Sequence, residues 1–170
     1  MVAFLLTLLA IVSIKEKKVT SATYNPVPFK PYVLKTKTYR IENGNREFLY
    51  ETTVTGFDRG QWTEIRQKGD WVRTITSDGN GVSDVTQGKE LSKSSKGQLF
   101  STHEELQRHN NLDHVEEIFG ITAYALKFDD RDRIIEAIFA PELGTKPLRL
   151  YLQIGENAFS ETVPVCLEWR

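Results

Sequence analysis

One cysteine, Cys166, is all the sequence holds, so no intrachain disulfide can form in any compartment. It lies between Val165 and Leu167 with no histidine or basic residue beside it to lower its pKa, which makes it a small apolar strand residue rather than a reactive thiol. Charge of one sign is lacking as well. With 22 Lys and Arg against 23 Asp and Glu, spread along the chain, the formal net charge is -1, and no long-range field gathers nucleic acid. Also missing are the Gly-x-Ser-x-Gly nucleophile elbow, the P-loop and the Gly-rich strand-to-helix turn of dinucleotide sites. No cofactor is implied and no catalytic residue is marked by its local sequence. Carboxylate pairs of the glycosidase kind are assembled in space and leave no such trace, so a hydrolase stays open as a third reading.

What is present begins with an apolar run at residues 2–14, shorter than the about 20 residues a membrane-spanning helix needs. It fits the core of a secretory signal, and Thr20-Ser21-Ala22 supplies small residues for a signal peptidase. Residues 1–22 are therefore expected to be removed, leaving 23–170 as one secreted or periplasmic domain with no stable membrane span. No basic residue precedes the run, and Lys15-Glu16-Lys17-Lys18 is charged for that position, so an uncleaved membrane-proximal segment and a first core element are competing readings. No cysteine follows the run, which argues against a lipid anchor.

The rest reads as strands. Residues 121–128, 133–139 and 148–154 are apolar runs joined by a charged turn, Asp129 to Asp132, and by a Pro-Glu-Leu-Gly-Thr-Lys-Pro loop. Ahead of them Pro26, Pro28 and Pro31 make an extended lead-in whose Tyr24, Phe29 and Tyr32 can pin it to a sheet. Asn43-Gly44 is a two-residue hairpin signal between residues 33–42 and 46–55. Lys68-Gly69-Asp70 joins residues 62–67 to 71–77, and Asp78-Gly79-Asn80-Gly81 turns the chain again. Residues 82–86 and 90–94 are polar strands suited to an edge, and Pro164 points to an edge for residues 159–169. Ser101 with Glu104, or Thr102 with Glu105, forms a capping box for a short helix near 102–109. Residues 112–119 are ambiguous: Leu112, Val115 and Ile118 recur every three residues and the acidic content suits a second short helix better than a strand. The expected fold is all-β, or β-rich α+β: an antiparallel meander of nine or ten strands curled into an open half-barrel, with one or two short helices.

Polar constellations offer little. His103, His109 and His114 are six and five residues apart, spacings that do not align rings on a helix, so no metal is expected. Asp78, Asn80 and Asp84 resemble part of a calcium loop, but the glycine stands at Gly81 and no Glu closes it. Glu136 interrupts an apolar strand, either as a polar group in a cavity or as an ion-paired rim residue. The aromatics carry more weight, because bulky residues on the concave face of a curled sheet hold apolar ligands. Trp62, Trp71, Tyr124, Phe139 and Tyr151 are the candidate ligand-binding residues, with Leu106 on the helix as part of a lid.

Gly-Ile-Thr-Ala-Tyr at 120–124, Phe-Ala-Pro-Glu-Leu-Gly at 139–144 and Pro-Leu-Arg at 147–149, with the leader and the meander, resemble uncharacterised exported bacterial β-proteins. These are similar in layout to the periplasmic lipoprotein-carrier half-barrels, a likeness that covers residues 38–155. The resemblance implies a half-open barrel with a helical lid, acyl chains sheltered on the concave face, and no catalytic residues. The expected partner is thus an apolar small molecule or lipid. A second reading is a structural or protein-interaction module that pairs an edge strand, residues 82–86 or 159–169, with an envelope protein.

Overall fold

A computed structural model of the chain describes residues 27–92, 112–130, 133–144 and 146–170. The leader and its cleavage site, Tyr24, the helix near 102–109 with Leu106, and His103 and His109 lie outside the described residues.

Turn chemistry shapes the first half. Asn43 and Gly44 both take positive φ, 51° and 79°, so this pair forms the tight hairpin its sequence predicts. It joins β1 (Tyr32–Glu42) to β2 (Asn45–Gly56). β3 (Gln61–Lys68) and β4 (Trp71–Asp78) are joined at Gly69, whose φ is 55°. One Asp78 carboxylate oxygen accepts the backbone N–H groups of Asn80 at 2.7 Å and Gly81 at 2.8 Å, so this acid closes a hairpin turn. β5 (Val82–Asp84) and β6 (Lys89–Ser92) follow. The chain resumes as β7 (Leu112–Ile118), β8 (Ile121–Asp130) and β9 (Arg133–Phe139). A 3-10 turn (Pro141–Leu143), β10 (Pro147–Gly155) and β11 (Ala158–Trp169) complete it.

β7 corrects the second helix. Leu112 to Ile118 pair antiparallel with Leu126 to Ile121, and Phe119-Gly120, at φ 54° and 74°, makes the turn between the strands. A period of three carried by three apolar residues is too little to bury a helix face, and lateral pairing prevails.

The eleven strands of the described residues form one antiparallel sheet in the order β6-β5-β4-β3-β2-β1-β11-β10-β9-β8-β7. Two outward meanders leave the middle, where the first and last strands meet, and the ends at β6 and β7 do not pair with each other. The sheet is thus curled and open, as expected. β6 stands at one end of the described sheet, as the polar sequence of residues 90–94 predicts, but the other two predicted edges need correction. β5 has a neighbour on each side, and β11 lies between β1 and β10. Pro164 is tolerated there for a local reason. β11 pairs with β10 only from Ala158 to Thr162, and beside Pro164 the β1 register slips between Lys35 and Thr36.

Register partners form rows across the strands. Tyr32, Gly56, Trp62, Ser77 and Val82 make one row, and Leu34, Val54, Glu64, Ile75 and Asp84 the next. Thr36, Thr52, Arg66 and Arg73 make a third. Leu34, Val54, Trp62, Ile75 and Val82 belong to the buried core, which continues through Ala123, Ala125, Ile138 and Leu148 on the other flank. Gly56 is where the first row needs a glycine, because a Cβ there would collide with the Tyr32 ring lying over it. The lead-in is pinned as its aromatics predict. Phe29 packs on Tyr32 with ring centroids 6.0 Å apart, Lys30 N–H donates to the Glu142 carbonyl at 3.3 Å, and Arg59 donates to the Val27 carbonyl at 3.0 Å.

Candidate functional site

The curl encloses a cavity of about 450 Å³ lined from β1 to β6 on one side and from β10 and β11 on the other. That volume lies within the roughly 300–1,000 Å³ of small-molecule sites. Strand alternation builds it: every second residue of β1, β2 and β3 faces the same way. Leu34, Val54, Ile75, Val82, Leu150 and Leu152 give apolar walls. Thr36, Thr38, Thr52 and Thr162 form a band between them, with the Thr38 and Thr162 hydroxyls 2.9 Å apart.

The floor is charged. Glu64 is only 6 % exposed. One of its oxygens accepts from Arg66 Nε at 2.5 Å and the other from Lys146 Nζ. Lys146 also lies over the Trp62 ring, 3.3 Å from its centroid, a cation–π contact in a desolvated setting. The guanidinium of Arg66 stands 5.5 Å from the Tyr50 ring centroid. Two strands away Asp84, fully buried, accepts from Arg73 Nε at 2.7 Å and from the Gln87 backbone N–H at 3.2 Å. Burial alone would push the Glu64 carboxyl up, but the Lys146 and Arg66 charges and hydrogen bonds outweigh it and hold it below the usual carboxylate range. Asp84 is likewise pushed up by burial and held down by Arg73 and the Gln87 N–H. Burial draws the Lys146 ammonium below an ordinary lysine, against the opposing pull of Glu64.

The two acids bear on the hydrolase reading. Glu64 and Asp84 are register partners of the same residue, Ile75, which places them about 9–10 Å apart at two strand spacings. A carboxylate pair in hydrolysis needs one member protonated near neutral pH. Here each is ion-paired and depressed, so neither is poised to donate a proton.

The structure disperses the aromatic candidates. Trp62 lines the cavity. Trp71 is 49 % exposed beside Tyr50, ring centroids 6.2 Å apart, outside the lining itself. Tyr151 falls between the lining residues Leu150 and Leu152, hence on the opposite face, where it stacks on Phe159 with centroids 5.0 Å apart. Glu136 is its register partner and shares that face, so this acid is no part of the cavity. Tyr124 and Phe139 are buried register partners on β8 and β9, neither in the lining. Sequence reasoning missed Glu64, Arg66 and Lys146. A signal for the first two exists: Trp62, Glu64 and Arg66 share one strand parity, an acid and a base in phase with a buried tryptophan. Nothing local marks Lys146, which meets Glu64 from 82 residues away.

No protein-family model matches the chain, and no curated protein does. Among solved structures it is similar to a LolA superfamily protein from Nitrosomonas europaea, at 10% identity and a TM-score of 0.45, covering 85% of this chain and 88% of that one. A protein described as an outer membrane lipoprotein-sorting domain, from Vibrio parahaemolyticus, matches at 8% identity and a TM-score of 0.36, covering 83% and 86%. A segment spanning 28% of PNGF-II matches 83% of this chain at 11% identity and a TM-score of 0.41. Likenesses this distant assign no family, ligand or activity to this chain.

Proposed function

We propose that this protein is an exported binding domain that shelters an apolar ligand or acyl chain on the concave face of its curled sheet, in the periplasm or outside the cell. The observation that carries the reading is the roughly 450 Å³ cavity walled by Leu34, Val54, Ile75, Val82, Leu150 and Leu152. Burying a ligand's apolar surface there is worth about 25 cal/mol per Å² before ordering costs are subtracted. Trp62 gives the cavity an aromatic wall, and Tyr50, which Trp71 packs against, is a second aromatic in the lining.

Titration with the uncharged dye N-phenyl-1-naphthylamine tests this. The expected result is saturable binding of one dye per chain, weakened about tenfold by Leu152→Trp, which fills the cavity from a half-buried position, with the melting temperature kept. Absence of binding, or binding that Leu152→Trp leaves unchanged, contradicts the reading.

A further inference from the structure

The floor of the cavity holds more hydrogen-bond donors than acceptors. Both Glu64 oxygens are taken, one by Arg66 Nε and one by Lys146. Among the described residues, the Arg66 guanidinium donates through Nε alone and the Lys146 ammonium to Glu64 alone, which leaves further N–H groups of each without an acceptor. The indole Nε1 of Trp62, a donor only, is buried and has no hydrogen-bond partner among the described residues, while the residue is 6 % exposed. An orphaned buried donor costs roughly 1–3 kcal/mol, so its persistence at a cavity wall calls for an acceptor from outside the chain. Charge points the same way. The third row and its neighbours bring Arg66, Arg73 and Lys146 against Glu64 and Asp84, three cations to two carboxylates, a local surplus of one positive charge.

Beside these charges the lining is aliphatic, with Leu34, Val54 and Ile75 in the same row as Glu64. A ligand that satisfies both parts has an oxygen-rich anionic head and an apolar chain. We infer that the cavity is specific for single-chain amphiphiles with an anionic oxygen head, a carboxylate or a phosphate, held by Arg66, Lys146 and the Trp62 indole N–H with the chain against the aliphatic walls. The inference rests on the binding function proposed above and names the ligand class of that same cavity.

Isothermal titration of the full chain at neutral pH tests it with hexadecanoate, hexadecyl phosphate, hexadecanol and inorganic phosphate. Hexadecanoate and hexadecyl phosphate are expected to bind at least about tenfold more tightly than hexadecanol, the size of one charge-assisted hydrogen bond. Arg66→Gln, at a part-exposed residue, is expected to narrow that preference to under about threefold, and a preference that stays at tenfold in this variant overturns the role given to Arg66. If hexadecanol binds as tightly as the two anions, the head-group inference fails and the apolar-binding function stands. If inorganic phosphate binds as well as hexadecyl phosphate, the site is one for free anions and the inference fails. If none of the long-chain compounds binds, both readings fail together.

Discussion

The two flanks of this sheet bury different things. On the side of β3 to β5 the interior holds Trp62, Ile75 and Val82 together with the charged Glu64 and Asp84. On the side of β8 and β9 it holds Ala123, Ala125, Ala137 and Ala140, each fully buried. Small side chains permit close approach there, while the 3-10 turn reaches across to the turn between β2 and β3, where a Cβ on Gly144 would stand 3.0 Å from the Arg59 Cα. Large side chains held apart by ion pairs cannot close the same way. Among the described residues, the cavity draws its lining from β1 to β6, β10, β11 and Lys146, and none of it from β7, β8 or β9. One sheet thus has a packed flank and a hollow one, and the hollow one is where the charge lies.

The largest effect is expected where the hollow flank is broken electrostatically. Glu64→Ala leaves Lys146 and Arg66 facing each other in a buried site and should cost about 3–5 kcal/mol in a urea titration. A loss under about 1 kcal/mol would mean that the pairs are solvated and the flanks less distinct than described. Next is overpacking of the alanine flank. Ala125→Leu should cost about 1–3 kcal/mol by the same measurement, and tolerance of the larger residue would mean that this flank has room too.

Acid should separate the flanks without mutation. The folded-state pKa values of Glu64 and Asp84 lie below their unfolded values, so their contribution is present above the ordinary carboxylate range and is lost as pH falls through the depressed values. Hydrogen exchange below about pH 4 is expected to lose protection first in β3 to β5, with β8 and β9 holding longer. Loss of both flanks together would show that they open as one unit. The smallest effect belongs to neither: Gly44→Ala at φ 79° should cost about 1 kcal/mol through the β1–β2 turn alone.

Much of this was legible because it is local. Positive φ at Asn43 and Gly44 follows from residue type, and the strands between residues 121 and 155 follow from apolar runs bounded by turn chemistry. What escaped is long-range. The place of β11 beside β1 depends on the outward path of every hairpin between them, so Pro164 read as an edge marker although only half of its strand is free of β10. The face taken by Tyr151 was not legible either, since which parity of β10 lines the cavity, that of Leu150 and Leu152, is set by the curl of the sheet. The charged floor depends on Lys146 arriving from a loop whose sequence announces only a turn.

The account stands on contact between an acyl chain and the cavity wall. Trp71→Phe with Trp169→Phe leaves Trp62 as the single indole, and a stearate brominated midway along its chain quenches tryptophan only at contact. Saturable quenching of Trp62, with no quenching in a companion variant that keeps Trp169 alone, is the predicted result. Unchanged Trp62 emission at saturating ligand would contradict the account.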